Sequence, residues 1–279
     1  MEQENFFPAD LEEFLVPDTL FADAYAQTSD RERSGYKLAI ARLAACLGEK
    51  RYDRSRLAEF LRQGSVLLEF RCPVLWAMVV WDETVESPSR ILAALMPAVF
   101  ADVAHVLACR AVSAESKSHI QPLSFSVLSA LELAGQEAVA DMPAAALAPL
   151  LTQVAAQGCG RLVLLGDSVW SGSLALEAMR LHIPVWNATA QARIGIAPFP
   201  PGAAGPDYDL LAQAQPDAHV FSVRNFGEAA GVSAIVCDPS AAGEWLEHAP
   251  LVLTPGHESC WLWPDLSLDF FQEKRQALS

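Results

Sequence analysis

Positive charge is scarce in this sequence. Its 279 residues carry 19 Lys and Arg against 34 Asp and Glu, a net charge of −15. That shortage argues against nucleic acid as a partner, because neutralising phosphates needs a basic face, and against an anionic membrane surface. Long apolar runs are missing as well. The strongest, Pro73 to Trp81, is far below the roughly 20 residues a spanning helix needs. The acidic start, Met1 to Phe7, has no basic region leading into an apolar stretch, so no secretory signal is expected. There is no Cys-x-x-Cys pair. The six cysteines lie scattered at 46, 72, 109, 159, 237 and 260, several inside apolar segments. This is the usage of reduced thiols in a cytoplasmic protein, not of a disulfide framework. Internal repeats, charge blocks and a Gly-x-Gly-x-x-Gly fingerprint are also absent.

What is present is apolar and ordered. Hydrophobic residues make up 52% and there are seven Trp, which excludes a disordered chain. Residues 1–65 read as a helical N-terminal cap, with helices over Asp30–Gly48 and Arg54–Arg62. Residues 66–197 read as a Rossmann-like α/β domain. Strands are expected at Val74–Trp81, His105–Cys109, Arg161–Gly166 and Ile183–Trp186, with helices at Pro88–Ala101, Pro122–Ala134, Pro143–Gln157 and Trp170–Leu181. Near-continuous apolar strands alternating with helices predict a doubly wound, mostly parallel sheet covered on both faces. Ser87 and Pro88 suit the start of their helix, and Pro97 is expected to kink or divide it. The Pro- and Gly-rich stretch 198–207 reads as a loop opening a smaller α/β lobe, 198–279. That lobe is expected to hold a helix at Tyr208–Gln215, strands at Ala218–Val223, Ser233–Cys237 and Pro250–Thr254, a capped helix at Asp238–Glu247 and a terminal helix at Leu266–Leu278.

Several segments carry a family resemblance. Ser87-Pro88-Ser89-Arg90 through Pro97-Ala98 to Asp102-Val103, Leu131-Glu132-Leu133-Ala134-Gly135, and Leu210-Leu211-Ala212-Gln213-Ala214 resemble segments of histidinol dehydrogenase. Leu164-Leu165-Gly166-Asp167-Ser168 through Gly172 is similar to the turn that lies under the nicotinamide cofactor in aldehyde dehydrogenases. The resemblance implies an aldehyde/histidinol dehydrogenase-type fold and, in an active member, an NAD(P)-dependent oxidoreductase with NAD as cofactor. Gln213 matches a zinc-binding glutamine of the family, but Pro216 stands at its histidine position. The Glu247-His248 pair matches the family's catalytic pair in type and not in local order. The phosphate-side Lys becomes Arg110, and the general-base position falls near Asn187.

Candidate sites follow from position and from that resemblance. Gly166, Asp167, Ser168 and Gly172 follow a strand and open a helix, where free amides favour an anion. Plain helix capping explains the same residues. Asp82, with Glu83 and Thr84, ends the strongest strand, where ligand contacts gather; a solvated loop that caps the helix at Pro88 is the plainer explanation. Together with Arg110 these residues form the cofactor candidates, between turns at 82–88, 110–122 and 166–172. Cys260 is a candidate nucleophile activated by His257 or His248, and Glu247 with His248 is the candidate catalytic pair that the resemblance implies. Cys237, His248, His257 and Cys260 lack zinc-site spacing, and buried thiols and loop histidines account for them, so no metal centre is expected. Trp261, Trp263, Phe270 and Phe271 suit either a homodimer contact or the protein's own core. Two functions remain open: a histidinol dehydrogenase-like oxidoreductase, and an inactive relative that binds a small anionic metabolite or a protein partner.

Overall fold

The computed structural model describes residues 6–48, 64–113, 122–189 and 191–279, and the backbone of 55–60. Part of the expected 110–122 turn and residues 54, 61 and 62 of the expected Arg54–Arg62 helix lie outside the described residues.

The fold grows from strand β3, Trp76–Asp82, in which every residue is buried. Alternation sends Ala77, Val79 and Trp81 to one face and Trp76, Met78 and Val80 to the other. Both faces are apolar, so both need helices. On the first face lie α1 (Asp18–Gln27), α3 (Pro88–Phe100) and α4 (Phe125–Leu133). On the second lie α5 (Ala144–Ala155) and α6 (Val169–Arg180). The sheet adds β4 (His105–Val112), β5 (Val139–Pro143), β6 (Gly160–Leu165) and β7 (Val185–Ala188) in the order β5-β4-β3-β6-β7, all parallel. This is the doubly wound, Rossmann-like α/β arrangement expected from the sequence.

A second parallel sheet, in the order β11-β10-β8-β9, is built from β8 (Arg193–Ile196), β9 (His219–Ser222), β10 (Ala234–Val236) and β11 (Val252–Leu253). Helices α2 (Asp30–Leu47) and α7 (Tyr208–Ala214) cover it together with the far side of α3. A short helix, α8, spans Ala242–Trp245. Helix α3 is thus shared. Ile91, Ala94, Leu95 and Ala98 face the first sheet, while Leu92, Ala93 and Met96 face the second core.

Local reading fails at several places. Pro97 neither divides nor ends α3, because it sits in the last turn and removes a single ladder bond from a helix packed on all sides. Within the expected Arg54–Arg62 helix, residues Ser55–Phe60 form strand β1, paired antiparallel with β2 (Val66–Pro73). The expected terminal helix Leu266–Leu278 is a short 3-10 turn, Leu268–Phe271, followed by strand β12, Gln272–Leu278. That strand completes a three-stranded antiparallel sheet in the order β1-β2-β12. Its start is pinned by Arg161, which donates to the carbonyls of Phe270 at 2.5 Å and Gln272 at 2.7 Å. A backbone partner from residues 66–73 outweighs the local helical pattern. Strands β5 and β8 were not expected. The first ends at Pro143 on a sheet edge, where a missing N–H is harmless. Among the described residues no helix is long and apolar enough to cross a membrane.

Gly160, at the start of β6, gives a test of this core. A Cβ built there lies 2.0 Å from the ring of fully buried Trp76, whose indole N–H bonds the Gly158 carbonyl at 3.0 Å. Gly160→Ala should therefore lower the unfolding free energy by at least about 1–3 kcal/mol, the range of overpacking. Denaturant titration against the parent protein measures it.

Candidate functional site

The strand order places β3 and β6 side by side where the winding reverses, and a crevice opens beyond their carboxyl ends. Asp82 ends β3 with 2% exposure. Its carboxylate accepts from the Thr84 amide at 2.9 Å and from the Ser168 hydroxyl. Ser168 is the residue preceding α6, yet its side chain makes no capping bond, because the hydroxyl is turned to Asp82. The cap oxygen that usually occupies the first amides of a helix is therefore withheld. Gly166 is explained by the same contact: a Cβ there would lie 2.7 Å from the Cβ of Asp82.

The main cavity here holds about 680 Å³. Asp82, Glu83, Thr84, Ser113 and Ser168 form its polar side. Ala144, Ala145 and Ala148 of α5 and Val169, Trp170 and Leu174 of α6 form its apolar walls. A smaller cavity of about 350 Å³ shares Asp82, Thr84 and Ser168 and adds Asp167, Gln191 and Asp217. The described residues lining both cavities include no Lys or Arg. Asp217 takes its place through Arg90, which is 1% exposed within α3 and pairs with it. The Gln215 Oε1 accepts from Arg90 Nε at 3.2 Å and from the Ser87 hydroxyl at 2.7 Å, and the Glu86 amide donates to Asp217 at 3.0 Å. Asp217 Oδ1 is buried with no protein partner.

Four of the six residues proposed for cofactor contact, Asp82, Gly166, Asp167 and Ser168, meet at this crevice. Gly172 lies farther along α6, where an added Cβ would touch nothing. Arg110 is buried in β4 and held by Asp141 through bonds of 2.9 and 2.7 Å, and it lines neither cavity. The four residues proposed for catalysis lie elsewhere and in two places. Cys260 and His257 line a separate cavity beside α2 and β11, with His257 Nδ1 at 3.2 Å from the Thr254 hydroxyl. Glu247 and His248 are exposed after α8, where His248 stacks on Phe226 at 4.3 Å. Burial, with Asp238 adding to it, pushes the Cys237 thiol up to about 11, which keeps it protonated at neutral pH. Gln213 has a buried Oε1 without a partner, and Pro216 lies in the exposed turn after α7. The aromatic cluster folds inward, with Trp261 and Phe271 buried and Trp263 donating to the Arg90 carbonyl at 3.2 Å.

Asp217, Gln191, Trp170 and the α5 alanines escaped sequence reasoning. One signal did exist for Asp217. Arg90 is the only charge in the apolar run Pro88–Ala101, so a buried guanidinium there demands an acidic partner.

Removing the Ser168 hydroxyl leaves the buried Asp82 carboxylate with the Thr84 amide as its one donor among the described residues. Ser168→Ala should lower stability by about 1–3 kcal/mol, and a cycle with Asp82→Ala should return a coupling of about 0.5–3 kcal/mol. Additivity in urea melts of the four proteins would show that the pair is not coupled.

No family model matches the sequence, and no curated protein matches it. Solved structures do. Histidinol dehydrogenase from Elizabethkingia anophelis superposes with a TM-score of 0.57 at 10% identity, covering 95% of this chain and 76% of that one. The aldehyde dehydrogenase PutA from Anabaena variabilis gives 0.52 at 11% identity, covering 94% and 83%. An E. coli NADP dependent enzyme gives 0.50 at 10% identity, covering 94% and 82%. The chain therefore shares the fold of histidinol and aldehyde dehydrogenases, as its sequence segments suggested.

Proposed function

We propose that this dehydrogenase-fold protein binds a nicotinamide dinucleotide, NAD, in the crevice between α5 and α6, and that it does not assemble a thiol-based hydride-transfer centre beside it. The observation that carries the reading is the turned Ser168 hydroxyl, which leaves the amide end of α6 without its side-chain cap at the mouth of a cavity of about 680 Å³. That volume lies within the roughly 300–1,000 Å³ of small-molecule sites. Small and apolar walls, Ala144, Ala145, Ala148 and Leu174, suit a flat base. Helix amides suit a pyrophosphate. Asp82 and Glu83 suit ribose hydroxyls, which donate to carboxylates.

The fit has a sign. Carboxylates without a cation among the described lining residues disfavour an added ribose phosphate and favour the positively charged nicotinamide of NAD⁺. The same charge argues against a small anionic metabolite as the ligand. Bound there, the nicotinamide would supply a two-electron hydride acceptor. Cys260, His257, Glu247 and His248 are not among the residues lining the crevice, which supports binding without the turnover those side chains would serve.

Thermal melting tests this. NAD⁺ at 100 times its dissociation constant should add about 2.7 kcal/mol of stability. NADP⁺ should bind at least about tenfold more weakly, the effect of about 1.4 kcal/mol. Ala148→Phe, which fills the wall of the crevice, should abolish the NAD⁺ shift and keep the far-ultraviolet circular dichroism of the parent. Absence of a shift with NAD⁺, or a shift that Ala148→Phe leaves intact, would exclude this site.

A further inference from the structure

The second cavity, away from the crevice, is also built as a site. It holds about 270 Å³ between α2 and β11, and its walls are largely apolar, with Leu43, Leu251, Leu253 and Leu262 among them. At about 30 Å³ of liquid per water it has the volume of about nine waters. That is room for a ligand smaller than a drug and far smaller than a dinucleotide.

Two polar groups on its wall have unused donors. Arg42, half-buried on α2, donates through Nη1 to the Gly256 carbonyl and to the Cys260 sulfur at 3.5 Å. No carboxylate pairs with it among the described residues, whereas Arg31, Arg33, Arg71, Arg90, Arg110, Arg180, Arg224 and Arg275 all have acidic partners. Arg161 and Arg193 also have no acidic partner among the described residues, but neither lines this cavity, so Arg42 is the guanidinium on its wall. The second group is Trp261, 2% exposed, whose buried Nε1–H has no acceptor among the described residues. Buried indole N–H groups ordinarily find one.

An apolar cavity lined by a guanidinium with no carboxylate partner among the described residues, and by a tryptophan with an unsatisfied N–H, suits an amphipathic anion. We infer that this cavity binds a small monocarboxylate with an apolar tail of medium length, the carboxylate meeting Arg42 and the tail lying among the leucines. Arg42 supplies a positive charge that the described lining of the crevice does not, so the two cavities favour different ligands. Cys260 and His257 are then wall residues of this binding site, and no chemistry is required of them.

Octanoate is the probe, followed by isothermal titration calorimetry on the full chain. Saturable binding near one equivalent is expected. Octanamide, which keeps the tail and loses the charge, should bind about ten- to a hundredfold more weakly, and Arg42→Gln should weaken octanoate by a similar factor. A second measurement needs no variant. Octanoate should slow alkylation of Cys260, read peptide by peptide in a mass spectrometer, and leave exposed Cys159, which is not on the cavity wall, unchanged. Three results would overturn the assignment: no saturable octanoate binding, binding that folded Arg42→Gln retains in full, or binding without protection of Cys260. None of these outcomes bears on NAD⁺ binding.

Discussion

The rest of this structure depends on the burial of α3 from every side. A helix on the outside of a protein has one apolar stripe. Here Pro88 through Ala98 are all buried, because one face closes the core of the first sheet and the opposite face closes the core of the second. The two sheets cannot separate without exposing that helix. Each buried Leu or Ile would lose about 1.5–3 kcal/mol in the process. The single charge within it sharpens the constraint. Arg90 cannot reach water, so its ion pair with Asp217 and its bond to Gln215 fasten the end of α7 to α3. Ser87, capping α3, reaches the same Gln215 and the Ala214 carbonyl. The crevice is thus lined on one side by the first sheet and on the other by residues that Arg90 holds in place.

The chemistry of the crevice follows from that arrangement. Asp82 and Asp217 reach it from two different strand and helix ends, and Asp167 joins them from the turn before α6. Asp217 balances Arg90, and its Oδ1 is buried without a partner among the described residues. Asp82 is satisfied by a local amide and by Ser168, which in turn leaves α6 uncapped. Structural requirements and ligand-facing groups are therefore the same residues seen from two sides. Of the acids at the pocket, Asp217 is held there by its ion pair with Arg90, and Asp82 by its bonds to the Thr84 amide and Ser168.

The framework was legible in the sequence wherever a local pattern decides it. The apolar run of β3, the Ser87-Pro88 start of α3 and the alternation of strands with helices all appear as read. The antiparallel sheet was not legible. Strand β12 pairs with residues about 200 positions earlier, Leu278 facing Leu67, and no local signal of a strand survives among Glu273, Lys274, Arg275 and Gln276. The crevice was half legible. Asp82 and Gly166 to Ser168 stand at strand ends, a position a sequence displays. Asp217 meets Arg90 across 127 positions and Arg42 meets Cys260 across 218, and such meetings are set by tertiary packing alone.

At 10% identity, what this chain shares with the histidinol dehydrogenase structure is the fold. Gly166 illustrates the point. Beside a strand end it resembles a glycine that makes room for a cofactor, yet the atom it makes room for is the Cβ of Asp82. Arg110 likewise resembles a phosphate-binding cation, yet its charge is held by Asp141 on the neighbouring strand. A residue shaped by packing and one shaped by a ligand leave the same trace in a single sequence. They separate only when each polar atom is followed to its partner. Here the start of α6 lacks a side-chain cap, and the Arg42 guanidinium lacks a carboxylate and the Trp261 N–H an acceptor among the described residues.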